Sequence, residues 1–126
     1  MNNLIFTTRD ELIRIDISKM IYAEAAGNYV DVHFINGQIT MIATTLTNFG
    51  ALITKMAPET SGRYIRISRK YIVDSRYIMH INHLNQQLVL SDMQTIRPII
   101  LKVPNDTLKE LKKTMMVKFD VQKDGK

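Results

Sequence analysis

The chain contains no cysteine. That excludes disulfides, thiolate nucleophiles and thiolate zinc sites, and it fits a cytoplasmic protein. No segment approaches the roughly 18 consecutive apolar residues that would cross a bilayer. The N-terminus MNNLIFTTRDEL has no basic flank followed by a long apolar run, so it does not read as a secretion signal. No G-x-S-x-G, Walker or dinucleotide-type glycine pattern occurs. His80 and His83, three apart on a β-type segment, point to opposite faces, with no carboxylate cluster nearby to complete a metal site. The sequence is therefore read as a soluble intracellular protein that is not an enzyme and takes no cofactor or metal.

What remains is a 126-residue chain of one expected domain, long enough to bury roughly two-thirds of its unfolded surface. Its 45% hydrophobic and 23% charged content is ordinary for a globular protein. The formal charge of +5 is unevenly spread. Residues 1 to 50 hold three basic and five acidic side chains, residues 51 to 126 fourteen and seven, so the second half supplies the whole excess. Such a surface favours a polyanionic partner, nucleic acid or anionic membrane, through its field and through counterion release.

The N-terminal part is patterned as strands and short turns. Leu4 to Thr8 and Glu11 to Ile17 flank Arg9-Asp10 and read as a hairpin with Ile13, Ile15 and Ile17 on the buried face. Met20 to Ala26 and Tyr29 to Phe34 are separated by Gly27-Asn28, a pair suited to a tight reversal, and Asp31 and His33 are expected on a solvent face. Asn36-Gly37 then turns the chain into Ile39 to Ile42. From Thr45 the period changes. Leu46, Phe49, Leu52, Ile53 and Met56 form a helical stripe over residues 45 to 56, capped by threonine, weakened slightly by Gly50 and ended by Pro58.

The second half returns to strands at Tyr64 to Ile67, Tyr71 to Val73, Ile78 to Ile81 and Leu88 to Leu90. A last β-like run, Thr95 to Val103, contains Pro98 and reads as an edge or bulged strand. A closing helix is expected with Asn105 as N-cap and Leu108, Leu111 and Met115 as its stripe. The expected fold is mainly β, with small antiparallel sheets and two short helices, over residues 1 to 116. Residues 1 to 17 form its N-terminal hairpin, and 117 to 126 form a polar, frayed tail.

The stretch YIRISRKYIVD, Tyr64 to Asp74, combines buried and reactive positions. Ile65 and Ile67 share one strand face while Tyr64, Arg66 and Ser68 share the other, and the adjacent cations Arg69 and Lys70 require an end, bulge or turn there. Arg63, Arg66, Arg69, Lys70 and Arg76 stand against the single carboxylate of Asp74, interleaved with Tyr64, Tyr71 and Tyr77. Arginine grips phosphate bidentately and reads guanine edges, and tyrosine hydroxyls add phosphate bonds. A solvated strand edge protected from aggregation has the same composition, and charge patterning leaves the two readings even.

The pair EAAGNYVDV (Glu24 to Val32) and YIRISRKYIVD, separated by a helix beginning TTL, resembles the LytTR DNA-binding domain of bacterial transcription regulators, from about Met20 to Met115. The resemblance implies small antiparallel sheets with short helices, and loops rather than a recognition helix entering successive major grooves of double-stranded DNA. It maps a first DNA loop onto Gly27, Asn28 and Tyr29 and a second onto Ser68, Arg69 and Lys70, with Arg66 beside them. The family usually has histidine at Ser68, serine at Lys70 and asparagine at Asp74, so base preference does not transfer and Asp74 adds a negative charge. A Ser-Arg pair before the last helix is replaced by Pro104-Asn105, leaving Lys102 or Asn105 as substitutes for a third contact.

Family members are commonly joined to a receiver domain or to membrane helices, whereas this chain reads as a stand-alone module. The resemblance implies a sequence-specific DNA-binding regulator of transcription. The alternative is a non-catalytic interaction or accessory module that keeps the fold and pairs with another regulator. A homodimer is compatible with either. A membrane role is disfavoured because the cations lie in β-type sequence rather than on a basic amphipathic helix.

Overall fold

Strands of four to seven residues cannot each bury a face alone, so they are expected to assemble into small sheets and stack in layers. The computed structural model describes residues 3 to 94 and 96 to 118. Strands β1 (Asn3–Thr7) and β2 (Leu12–Asp16) pair as a hairpin. A meander follows: β3 (Met20–Ala26), β4 (Tyr29–Phe34) and β5 (Ile39–Ile42). Helix α1 (Leu46–Met56) leads to the hairpin of β6 (Tyr64–Ile67) and β7 (Tyr71–Asp74). Three more strands, β8 (Ile78–Asn82), β9 (Gln87–Leu90) and β10 (Ile99–Lys102), precede helix α2 (Asn105–Lys118). Among the described residues all pairing is antiparallel, in sheets ordered β1-β2, β5-β4-β3-β7-β6 and β10-β9-β8. The fold is mainly β with two helices, as the patterning predicts.

The five-stranded sheet separates two cores. On one face Val30, Val32, Ile42 and Ile72 pack with Leu4, Ile15 and Ile17 of the N-terminal segment and with Leu46, Phe49 and Ile53 of α1. On the other, Tyr22, Ile67, Tyr71 and Val73 pack with Leu88, Leu90, Leu101, Leu108 and Leu111. All four residues of β7 are therefore buried. A register shift between Met20 and Tyr22 in β3 sends Ile21 and Tyr22 together into the second core.

Helix α1 starts where Thr45 Oγ1 accepts the Asn48 N–H at 3.1 Å. Gly50 has a packing reason: a Cβ there would lie 3.2 Å from Ile72 Cδ1, so glycine lets the helix approach the sheet. Ile17–Lys19, Pro58–Thr60 and Ser75–Tyr77 are short 3-10 turns that the patterning did not distinguish from strand or linker.

Several expectations are corrected. His33 does not face solvent freely: its ring stacks on Tyr22 at 4.1 Å, because the sheet face that carries it is half covered by the second core. Burial lowers the His33 pKa, since the charged form loses hydration. Asn105 is the first helical residue of α2 rather than its cap, and its Oδ1 is buried without a hydrogen-bond partner among the described residues. The final strand is confined to Ile99–Lys102, after Pro98, on the sheet edge. Residues 1, 2, 95 and 119 to 126, which the expected domain start, last strand and tail include, lie outside the described residues, whereas Val117 and Lys118, expected in the tail, complete α2.

The largest correction concerns Asp74. It is fully buried and is not a negative charge set beside the Ser68 to Lys70 loop. Its Oδ2 accepts Arg63 Nε and Arg76 Nη2, each at 3.0 Å, while its Oδ1 accepts the Arg76 backbone N–H. Arg63 Nη2 also donates to the Ser18 carbonyl at 3.1 Å, and the Tyr64 hydroxyl donates to the Ile17 carbonyl at 2.8 Å. Two of the five cations counted in the cluster are thus engaged in fastening the Ile17–Lys19 turn to the β6-β7 hairpin.

Candidate nucleic-acid interface

The sheet register decides which turns meet. Glu24 pairs with Tyr71, so the end of β3 and the start of β7 lie side by side. The Ala25 N–H donates to the Lys70 carbonyl at 2.9 Å and carries that pairing to the loop. The Gly27-Asn28 turn and the Ser68 to Lys70 turn therefore emerge from the same end of the five-stranded sheet. Gly27 has φ +63°, in the left-handed region where a side chain is strained, which explains glycine at that reversal. Asn28 and Tyr29 are exposed beside it.

The second turn is held by its own side chains. Ser68 adopts φ 59°, and its Oγ accepts the Lys70 N–H at 3.2 Å. Arg66 Nε donates to the Ser68 carbonyl at 2.8 Å, and its Nη1 reaches Thr47 Oγ1 at 3.4 Å, joining the turn to the first residues of α1. Arg69 is exposed, with no side-chain partner among the described residues. The Lys70 ammonium lies 5.4 Å from the Tyr71 ring centroid and 3.6 Å from Glu24 Oε2. The neighbouring Tyr71 and, after it, Glu24 raise the Lys70 pKa.

A third element reaches the same place. Lys102 pairs with Gln87, and the Val103 N–H donates to the Gln86 carbonyl, so the β8-β9 turn and the strand leading to α2 end together. A cleft of about 460 Å³ is lined by Ser68, Arg69, Lys70, Tyr71, Gln86, Lys102 and Pro104. Of the candidate residues, Ser68, Arg69, Lys70 and Lys102 line this cleft, Arg66 stands outside it against Thr47 and the Ser68 carbonyl, and Asn28 and Tyr29 lie on the adjoining turn. Asn105 does not line the cleft. Gln86 and Thr47 were missed; Gln86 sits at φ 54° in a turn whose polar sequence gave no sign of its place. Among the described residues no group of three or more His, Asp or Glu side chains converges as a metal site.

The arrangement is a set of turns around a cleft, bearing guanidinium, ammonium, hydroxyl and amide donors, of which Lys70 is paired with Glu24 and Arg66 with the Ser68 carbonyl. That donor set suits phosphate oxygens and base edges rather than covalent chemistry. A sequence profile of the LytTr DNA-binding domain matches residues 10–116. The chain belongs to the LytTr DNA-binding domain family. It is a family of DNA-binding domains, not of enzymes. Among solved structures the chain is similar to the LytTr DNA-binding domain of a protein described as a methyl-accepting/DNA response regulator from Bacillus cereus. The TM-score is 0.60 at 22% identity, covering 91% of this chain and 97% of that one, and the likeness is one of fold. No curated protein matches. The matched LytTr region contains both turns and the cleft, and no described helix is long and apolar enough to cross a membrane.

Proposed function

We propose that this protein is a sequence-specific DNA-binding regulator of transcription that applies the loop end of its five-stranded sheet to the major groove. The observation that carries the reading is the convergence of the Gly27-Asn28 turn, the Ser68 to Lys70 turn and Lys102 on one end of the fold. Arg69 reads a base edge; Arg66, Lys70 and Lys102 neutralise phosphates; Ser68 and Asn28 add neutral hydrogen bonds; and Tyr29 positions its turn. The functional unit is the domain spanning residues 1 to 116, acting in the cytoplasm without a cofactor. Removing Arg69 costs roughly 1 to 3 kcal/mol and relaxes discrimination at one base pair. Removing Lys102 lowers affinity evenly across sequences and flattens the salt slope by about 0.9.

A second reading has its own observation. Pro104-Asn105 stands where the resemblance expects a Ser-Arg pair, and Lys70 is partly neutralised by Glu24. These reduce the donors offered to DNA and favour an accessory module that pairs with another regulator. Selection of bound duplexes from a random pool separates the two. An enriched motif supports the regulator, and retention with no motif at moderate salt supports the accessory module.

A further inference from the structure

Sheet edges normally carry charge, proline or bulges that block further pairing. Most edges here do: β6 carries Arg66, β2 carries Arg14 and Asp16, β10 follows Pro98 and carries Lys102, and β8 is bulged between Ile78 and His80. Strand β1 is uncharged but runs into Arg9, Asp10 and Glu11. Strand β5 has none of these devices. It lies at the edge of the largest sheet, and residues 34 to 54 around it contain no charged side chain in a chain of net charge +5. Ile39 and Met41 are 58% and 57% exposed on it.

The backbone of β5 is set for a partner. The Phe34 N–H donates to the Gln38 carbonyl at 2.9 Å, which makes Phe34/Gln38 a hydrogen-bonded pair. Alternation along the register then places Val32/Thr40 and Val30/Ile42 in the same class. Ile39 and Met41 accordingly turn their N–H and C=O groups away from β4, to the open edge.

We propose that β5 is a self-association edge, pairing antiparallel with β5 of a second copy about a two-fold axis at Thr40. Outward groups must pair with outward groups, so Ile39 of each copy lies opposite Met41 of the other and exchanges both N–H···O bonds with it. The exposed Ile39 and Met41 side chains share a sheet face and close over those of the second copy. A second copy is the favoured occupant because β5 itself, Ile39 to Ile42, carries no charge that would oppose its own copy, and the antiparallel pairing is self-complementary as a two-fold contact requires. Resting on the DNA reading, one consequence follows from strand direction. Antiparallel β5 pairing points the two loop ends in opposite directions, so the dimer bridges two duplex segments instead of occupying neighbouring sites on one.

The absence of cysteine supplies the test. At the two-fold, Thr40 faces Thr40 of the other copy as a non-hydrogen-bonded pair, with Cα atoms about 4.5 Å apart, within disulfide range. Under mild oxidation the full chain carrying Thr40→Cys should form a covalent dimer. Leu84→Cys, at an exposed turn, should remain monomeric. In sedimentation the unsubstituted chain should associate to a dimer with concentration, and Met41→Lys should weaken that association at least about tenfold with unchanged circular dichroism. A chain that stays monomeric at the highest concentration reached overturns the proposal. So does Thr40→Cys crosslinking no faster than Leu84→Cys, or dimerisation through Ile5→Cys on β1 in its place. None of these measurements uses DNA, so they fail or succeed independently of the DNA reading.

Discussion

Replacing Asp74 with asparagine removes a charge from a site with no solvent access. Its Oδ2 holds Arg63 and Arg76, whose side chains are 20% and 52% exposed. Breaking a buried pair by deleting one partner costs about 3 to 5 kcal/mol. Water relieves much of the loss at the half-exposed Arg76, and the asparagine oxygen still accepts the Arg76 backbone N–H, so the lower end, about 3 kcal/mol, applies here. The burden falls on Arg63, left facing an amide while still tied to the Ser18 carbonyl. In urea, with a slope of about 1 to 3 kcal/mol per molar, the unfolding midpoint should fall by about 1 to 3 M. Arg76→Ala alone should cost less than about 1 kcal/mol because Arg63 remains paired. The folded fraction of Asp74→Asn should keep its DNA affinity, since Asp74 serves the opposite end of β7 from the loops. A variant within about 0.5 kcal/mol of the parent, or one that loses DNA affinity at undiminished stability, would refute this account of the residue.

Other substitutions probe separate parts of the structure. Gly27→Ala meets no neighbour within 4 Å, so its cost is conformational: about 1 kcal/mol by thermal unfolding, with Gly27→Asn milder. His33 has a folded pKa below its ordinary 6.5, so the unfolded chain binds its proton first. Its contribution is complete above about pH 6.5 and declines as pH falls from there through the lowered folded value, and His33→Phe, which keeps a ring against Tyr22, should reduce that acid-side decline in pH-dependent denaturation. Tyr64→Phe removes the hydroxyl bonded to the Ile17 carbonyl and should cost about 1 kcal/mol. The Tyr64 hydroxyl, pushed up to about 12 chiefly by burial, should show no phenolate absorbance at pH 10.5 in the folded chain.

Local patterning made much of the architecture legible. Asn36-Gly37, Gly27-Asn28 and the cation pair at Arg69-Lys70 each mark a turn the structure contains, and the threonine before Leu46 is the cap of α1. What patterning could not supply was which strand sits beside which. Strand β7 reads like any short apolar run, yet it is covered on both faces because β3 and β6 flank it and a core lies on each side. That burial turns Asp74 inward and changes Arg63 and Arg76 from candidate DNA donors into internal counterions. The pairing of Lys102 with Gln87 likewise depends on sequence-distant register, so Gln86 stayed invisible until the sheets were assembled. Asn105 shows the limit of cap rules: the helix begins one residue early, and the side chain is drawn inward.

The central claim is that the loop end bearing Arg69 reads DNA sequence. Selection of bound duplexes from a random pool, run in parallel with the full chain and with Arg69→Ala at physiological salt, tests it most directly. The account predicts one enriched motif for the parent and the same motif with a single relaxed base pair for the variant. Identical motifs and affinities for the two proteins, or no motif for either, would contradict it.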